Sequence, residues 1–142
     1  MTIEAILAGK GDNVWCVECG TPVRDAVASL AEKRIGAVPV MKDGKVVGIM
    51  SERDVIYALQ RQGAGMLDAT VETIMSSPAV TVALDFKVMA ALALMTQRRM
   101  RHLPVVQDGQ LIGLVSIGDL VKYRTDRIER EAEEMRSYIQ SA

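Results

Sequence analysis

The chain has 142 residues, a formal net charge of −1, 25% charged and 49% hydrophobic residues, and only 4% aromatics. That is ample material for one packed body with an aliphatic, methionine-rich core, and too few charges for a disordered chain. The near-neutral balance lacks the basic stripe and stacking platforms of a nucleic-acid binder, and no run nears the roughly 18 apolar residues of a membrane span.

The opening segment MTIEAILAGKGD carries the acidic Glu4 and no charged leader ahead of an apolar stretch, so a secretory signal is not expected. With two cysteines and no export signal, a reducing cytoplasm is the expected compartment. A short β run over Val14 to Val17 comes next, then turn residues Gly20, Thr21 and Pro22. A helix follows, with Val23, Val27, Leu30 and Ala31 at helical spacing. Two β runs, Ala37 to Met41 and Val46 to Met50, flank Asp43-Gly44, a hairpin-turn signal. Ser51 offers a hydroxyl cap to a second helix, and Gln62 to Gly65 reads as a flexible break. The series then starts again. A β run over Val80 to Val82 and a turn at Asp85 lead into a helix with Val88, Leu92, Met95 and Thr96 on one side. A hairpin around Asp108-Gly109 and a helix from Ser116 complete it. From Asp126 a charged helix carries Ile128, Ala132, Met135 and Ile139 on one stripe, which suits packing on its own body or against a second subunit.

These two series are one unit written twice, 65 positions apart. Pro39, Val40, Asp43, Gly44, Gly48, Ser51 and Asp54 fall without a gap on Pro104, Val105, Asp108, Gly109, Gly113, Ser116 and Asp119. Upstream, Val17, Val23, Ala26, Ala28 and Arg34 fall on Val82, Val88, Ala91, Ala93 and Arg99. The expected fold is mixed α/β: two βαββα copies over residues 8–66 and 74–131, with a charged terminal helix over about 120–141. A copy of roughly 55 residues is near the size at which a core is marginal. Two copies packed about a pseudo-two-fold axis bury each other's apolar sheet faces, and leave two related clefts where small ligands commonly bind.

Three motifs invite chemistry. Ser51-Glu52-Arg53-Asp54 and Ser116-Ile117-Gly118-Asp119 each read as a capped helix start, with an acid suited to the helix dipole. The same start presents N–H groups and a hydroxyl to phosphate, and a carboxylate to a ribose diol. Asp is the rarer partner in a reciprocal cap, and its presence in both copies favours binding. Second, Arg98 and Arg99 close a helix, where cations are favourable. Arg101 and His102 lie beyond it, where a guanidinium can grip phosphate. Third, Cys16 and Cys19 form a CxxC without the second pair that a zinc site needs. They read best as small apolar fillers at a strand end, with redox or metal use as the minor reading. His102 is the single histidine. No catalytic set can be assembled around it, and no metal cluster is expected.

On these residues the chain resembles the CBS-domain family, as a stand-alone tandem pair (a Bateman module). The resemblance rests on Val38-Pro39-Val40 and Leu103-Pro104-Val105, the two Asp-Gly turns, the hydrophobic-Gly-hydrophobic strands and the two Ser-x-x-Asp helix starts. It runs over about residues 8–125. The lead ILAGKG and the charged tail are similar to a bacterial subgroup of small two-CBS proteins. It implies a flat homodimer and a non-catalytic regulatory role for a protein partner of unknown identity, exercised through AMP, ADP, ATP or NAD; no cofactor is required. Under the resemblance Asp54 and Asp119 hold ribose hydroxyls, and Ser51 and Ser116 lie near phosphate, in helix starts that also contain Arg53 and Gly118. Met100, Arg101 and His102 border the Asp54 cleft; Ile35, Gly36 and Ala37 complete the Asp119 cleft. Trp15-Cys16 and Val80-Thr81 add walls. Two departures stand out: Cys16 replaces a usual Thr, and Gly36-Ala37 stand opposite Arg101-His102, so unequal clefts are expected. Two other readings stay open, a partner-binding module with empty clefts and a CxxC redox protein.

Overall fold

The structure, a computed structural model, describes residues 1–11 and 13–141. In it the repeat folds twice into the same unit. Each copy is anchored by a tight hairpin: β2 (Ala37–Lys42) with β3 (Lys45–Ser51), and β4 (His102–Gln107) with β5 (Gln110–Ser116). At the turns Asp43 and Gly44 have φ of 53° and 76°, and Asp108 and Gly109 of 51° and 77°. Two successive positive φ values match the right-handed strand twist, and Asp and Gly tolerate them. Both hairpins shift register at the same point, between Val40 and Met41 and between Val105 and Val106.

The leading strands are shorter than expected. The β1 strand spans Val17–Glu18 and pairs parallel with β2, while its counterpart is a single bridge from Val82 to Val105. Val14, Trp15 and Cys16 precede the strand, so Cys16 does not lie in it. Helices α2 (Val23–Lys33) and α4 (Val88–Arg98) bury Val23, Ala26 and Leu30, and Val88, Ala91 and Met95. Val27 and Leu92 are half-buried, whereas Ala31 and Thr96 are exposed. At 3.6 residues per turn Ala31 sits roughly 100° round from the centre of that buried face.

The core is exchanged between the copies. Helix α1 (Ile3–Lys10) precedes the first copy but packs into the second, where Ile3, Ile6 and Leu7 join Val88, Met95, Leu103 and Leu120. The backbone N–H groups of Ile3 and Glu4 donate to Phe86 O and Leu84 O, at 2.9 and 3.0 Å. Conversely, the stretch leading into the second copy packs into the first. Gln62 to Gly65 is therefore no flexible break: α3 (Glu52–Gln62) ends at Gly63, and 3-10 turns over Ala64–Asp68 and Val71–Thr73 bury Met66 and Val71. Ser76 then exchanges backbone hydrogen bonds with Ile49.

The second helix of the second copy and the charged tail are one helix, α5 (Ile117–Ser141), about 37 Å long. Leu120 is buried at its start, but every described residue from 124 onward is exposed. Packing of the stripe on its own body is thus overturned. A straight helix carries Ile128, Met135 and Ile139 past the body, leaving them 53, 62 and 67% exposed. No helix is long and apolar enough to cross a membrane among the described residues.

The two hairpin glycines test the exchange. A Cβ at Gly48 would stand 2.8 Å from the Ser76 carbonyl oxygen and 2.5 Å from Met75 Sδ, while the nearest atoms to one at Gly113 are the Leu7 methyls, at 2.7 and 2.8 Å. Backbone held by hydrogen bonds yields less than a side-chain terminus. Gly48→Ala is expected to cost about 1–3 kcal/mol in urea denaturation, and more than Gly113→Ala.

Candidate functional site

Both Ser-x-x-Asp segments form reciprocal caps. The Ser51 backbone N–H donates to Asp54 Oδ2 at 2.8 Å, and the Asp54 N–H to Ser51 Oγ at 3.3 Å. In the second copy the Ser116 and Asp119 bonds are 2.8 and 3.1 Å. Asp, the rarer partner in a reciprocal cap, fills that role in both copies, and at α3 the extended backbone of Ser51 (φ −113°) brings its N–H within reach. Capping thus accounts for one carboxylate oxygen of each Asp. The other oxygen of Asp54, Oδ1, accepts from Ser76 Oγ at 3.0 Å.

Asp54 borders a cleft of about 610 Å³ between the copies, within the usual size for small-molecule sites. The first copy contributes Gly36, Ala37, Ser51 and Arg53 to its walls; Val80, Met100, Arg101 and His102 come from beyond the linker. Arg98 and Arg99, read from sequence only as helix-closing cations, also line it, as do Glu52, Ile56, Tyr57 and Ser76, to which the sequence reading gave no site role. Gly36 and Ala37, expected to complete the Asp119 cleft, line the Asp54 cleft. Ile35 lines an adjoining groove of about 510 Å³ between α2 and α3. Ser116, Gly118 and Asp119 border neither. Trp15 and Cys16 lie outside both: Trp15 is 53% exposed, with Lys33 Nζ 3.8 Å above its ring.

Charge in the cleft is predominantly positive. Arg53, Arg98, Arg99 and Arg101 face Glu52 and Asp54, and none of these guanidinium groups has a carboxylate partner among the described residues. Arg53 Nη1 donates to Arg99 O at 2.8 Å and ties α3 to the end of α4. Arg99 adopts φ 54°, the left-handed turn that closes α4, as Arg34 does for α2. Gly36 leaves room for close approach: a Cβ there would stand 2.7 Å from Glu52 Oε1 and 3.2 Å from His102 Cε1. His102 is half-buried, and loss of solvent, then the charge of Lys10, push its pKa below the ordinary value against Asp119 and Glu52.

The second carboxylate has a different neighbour. Lys10 Nζ donates to Asp119 Oδ2 at 2.7 Å and to Leu114 O at 2.8 Å. Partial burial works to raise the Asp119 pKa, but the Lys10 bond and charge and the Ser116 bonds outweigh it and hold it below the usual carboxylate value. Lys10 escaped the sequence reading because it lies more than a hundred residues from its partner. Cys16 and Cys19 are free thiols. Desolvation, then the charge of Glu18, raises the Cys16 pKa, opposite to what a reactive thiolate needs.

The CBS domain family matches twice, over residues 11–61 and 71–126. The chain belongs to the CBS-domain family. It is 36% identical over 149 aligned positions to CBSX3, a mitochondrial CBS domain-containing protein of Arabidopsis thaliana, covering 98% of this chain and 72% of that one. Its fold matches the CBS-domain protein ATU1752 of Agrobacterium tumefaciens, with a TM-score of 0.84 and 36% identity over 87% of this chain and 99% of that one. It also matches CBSX2 in complex with AMP, at 0.72 and 26% over 80% and 90%. The architecture is accordingly a tandem CBS pair with a long C-terminal helix.

His102 sits where the two CBS copies meet, and its lowered pKa has a thermodynamic consequence. The unfolded chain takes up this proton first, so the contribution is fully present above about pH 6.5 and is lost as the pH falls through the folded value. Urea midpoints followed from about pH 7.5 to 5 should fall on acidification, and His102→Gln should flatten that part of the curve.

Proposed function

We propose that this CBS pair is a non-catalytic regulatory module that binds an adenine nucleotide in the cleft between its copies. The observation that carries this reading is the joining, in one cavity, of the Asp54 carboxylate from one copy and Arg101 from the other. A carboxylate offers about four acceptor positions, and Asp54 fills three: two with Ser51 N–H and Oγ, one with Ser76 Oγ. A ribose hydroxyl takes the remaining position on Oδ1. Arg101, Arg98 and Arg99 supply phosphate donors, for which guanidinium is well shaped. Gly36, Ala37 and Met100 offer small or apolar wall for the base. The complex of CBSX2 with AMP supports this ligand class, and AMP, ADP, ATP and NAD share the groups invoked. Since both copies contribute to the cavity, ligand binding biases the way they sit against each other, to the extent that it favours one arrangement. Two free thiols fit a reducing compartment such as the cytoplasm.

The nucleotide is checked by thermal and chemical denaturation. AMP at a hundredfold over its dissociation constant should add about 2.7 kcal/mol, and Asp54→Ala should weaken its binding at least about tenfold, the loss of one charge-assisted hydrogen bond. No stabilisation by AMP, ADP, ATP or NAD would instead favour a partner-binding module with empty clefts.

We infer also that the module acts as a homodimer, with the free stretch of α5 contributing to pairing. Most helical stability in proteins comes from packing an apolar face, and Ile128, Ala132, Met135 and Ile139 recur at seam spacing. Lys122, Arg124, Arg127 and Arg130 weight its first part, and Glu131, Glu133 and Glu134 its later part. An antiparallel second copy sets these against each other. Replacing Ile128 and Ile139 with Lys should lower the dimer fraction in sedimentation velocity; an unchanged distribution would remove α5 from the interface.

A further inference from the structure

His102 is the one histidine of the chain, and the duplication gives it no titrating counterpart: 65 positions earlier stands Ala37. Several elements fix its place. As the first residue of β4 it pairs with Ser116, the residue before α5. It is half-buried and lines the cleft with Arg101 from its own strand and Glu52 from α3. A side chain at Gly36 would meet Glu52 Oε1, His102 Cε1 and His102 Nε2 together, at 2.7, 3.2 and 3.4 Å, so carboxylate and imidazole face the same small gap. Arg53, Arg98, Arg99 and Asp54 line the same cavity. Lys10 from α1 and Asp119 from α5, themselves paired at 2.7 Å, act on the ring with opposite signs.

These groups divide cleanly. Glu52 and Asp119 favour the imidazolium, whereas loss of solvent, Lys10 and Arg101 oppose it, and the opposition prevails in the free protein. A phosphate in the cleft joins the favouring side, since it brings negative charge and acceptor oxygens to a cavity whose guanidinium groups otherwise repel a second cation. We propose that the cleft takes up a proton with its nucleotide, at His102, so that the module answers to pH and nucleotide jointly. By linkage, the nucleotide raises the midpoint of His102 titration, and acid tightens nucleotide binding by the same factor. Affinity is then flat above the midpoint of the complex, climbs as the pH falls between the two midpoints, and levels off below that of the free protein. The ligand acts here through its phosphate charge, so adenosine leaves the midpoint where it was.

This inference rests on the nucleotide reading, and its test separates the two. Because the chain has one histidine, the Cε1–H proton of His102 gives a single NMR signal of its kind. Saturating AMP should raise its titration midpoint by about one pH unit, while adenosine should not move it. Calorimetric affinity for AMP should accordingly gain up to about tenfold on acidification in the wild type relative to His102→Gln. A phosphate monoester itself titrates at about pH 6, which is common to both proteins, so the ratio of their affinities isolates the ring. An AMP-bound midpoint equal to the free one, an equal rise with adenosine, or the same pH dependence in His102→Gln would overturn the proposal and leave the nucleotide reading standing. Absence of AMP binding at every pH where the protein is folded overturns both.

Discussion

Neither copy completes its own core, and the rest of the structure depends on this exchange. Ile3, Ile6 and Leu7 close the second copy from a helix that precedes the first, while Met66, Val71 and Ile74 close the first from the stretch that precedes the second. Burying a large aliphatic side chain is worth about 1.5–3 kcal/mol, so each exchanged segment is comparable with the whole stability of a unit this small. The copies are locked in register with one another. A cleft whose two walls come from different copies therefore has walls held at a defined spacing, which is what a small-ligand site needs.

The same device makes the two Ser-x-x-Asp helix starts unequal. Each exchanged segment ends beside a Ser-x-x-Asp helix start, but one brings Ser76 and the other Lys10. The strand starts repeat the asymmetry, with Gly36 allowing Glu52 and His102 to approach where the other copy has Arg101. Duplication supplied two equivalent frames; small substitutions at the points of contact gave them different electrostatics. Capping and ligand reading are not rivals at Asp54, because one oxygen serves the helix and the other is turned to Ser76 and the cleft.

What could be read in the sequence was local or repeated. The Asp-Gly turns and the capped starts of α3 and α5 are set by backbone preferences within a few residues, and the Pro-Val strands are marked by short, nearly continuous apolar runs. The duplication itself needed only comparison of the chain with its own second half. Misjudged features were those whose outcome depends on distant chain. Val14 to Cys16 have strand character, yet pairing begins only at Val17, where β2 is there to pair with. The Gln62–Gly65 stretch has the composition of a linker, yet Met66 beyond it finds a core to enter. The stripe on α5 has a helix period that says nothing of what covers it.

The sequence by itself thus determined the unit, its duplication, its hairpin turns and the carboxylates at the helix starts, since each follows from φ preference, periodicity and capping over short range. Only the tertiary structure decided that Gly36 and Arg101 share one cavity, that α1 belongs to the opposite copy and that Lys10 sits on Asp119. Those are contacts between residues far apart in the chain, set by which apolar faces bury each other, and no local pattern in the sequence encodes them.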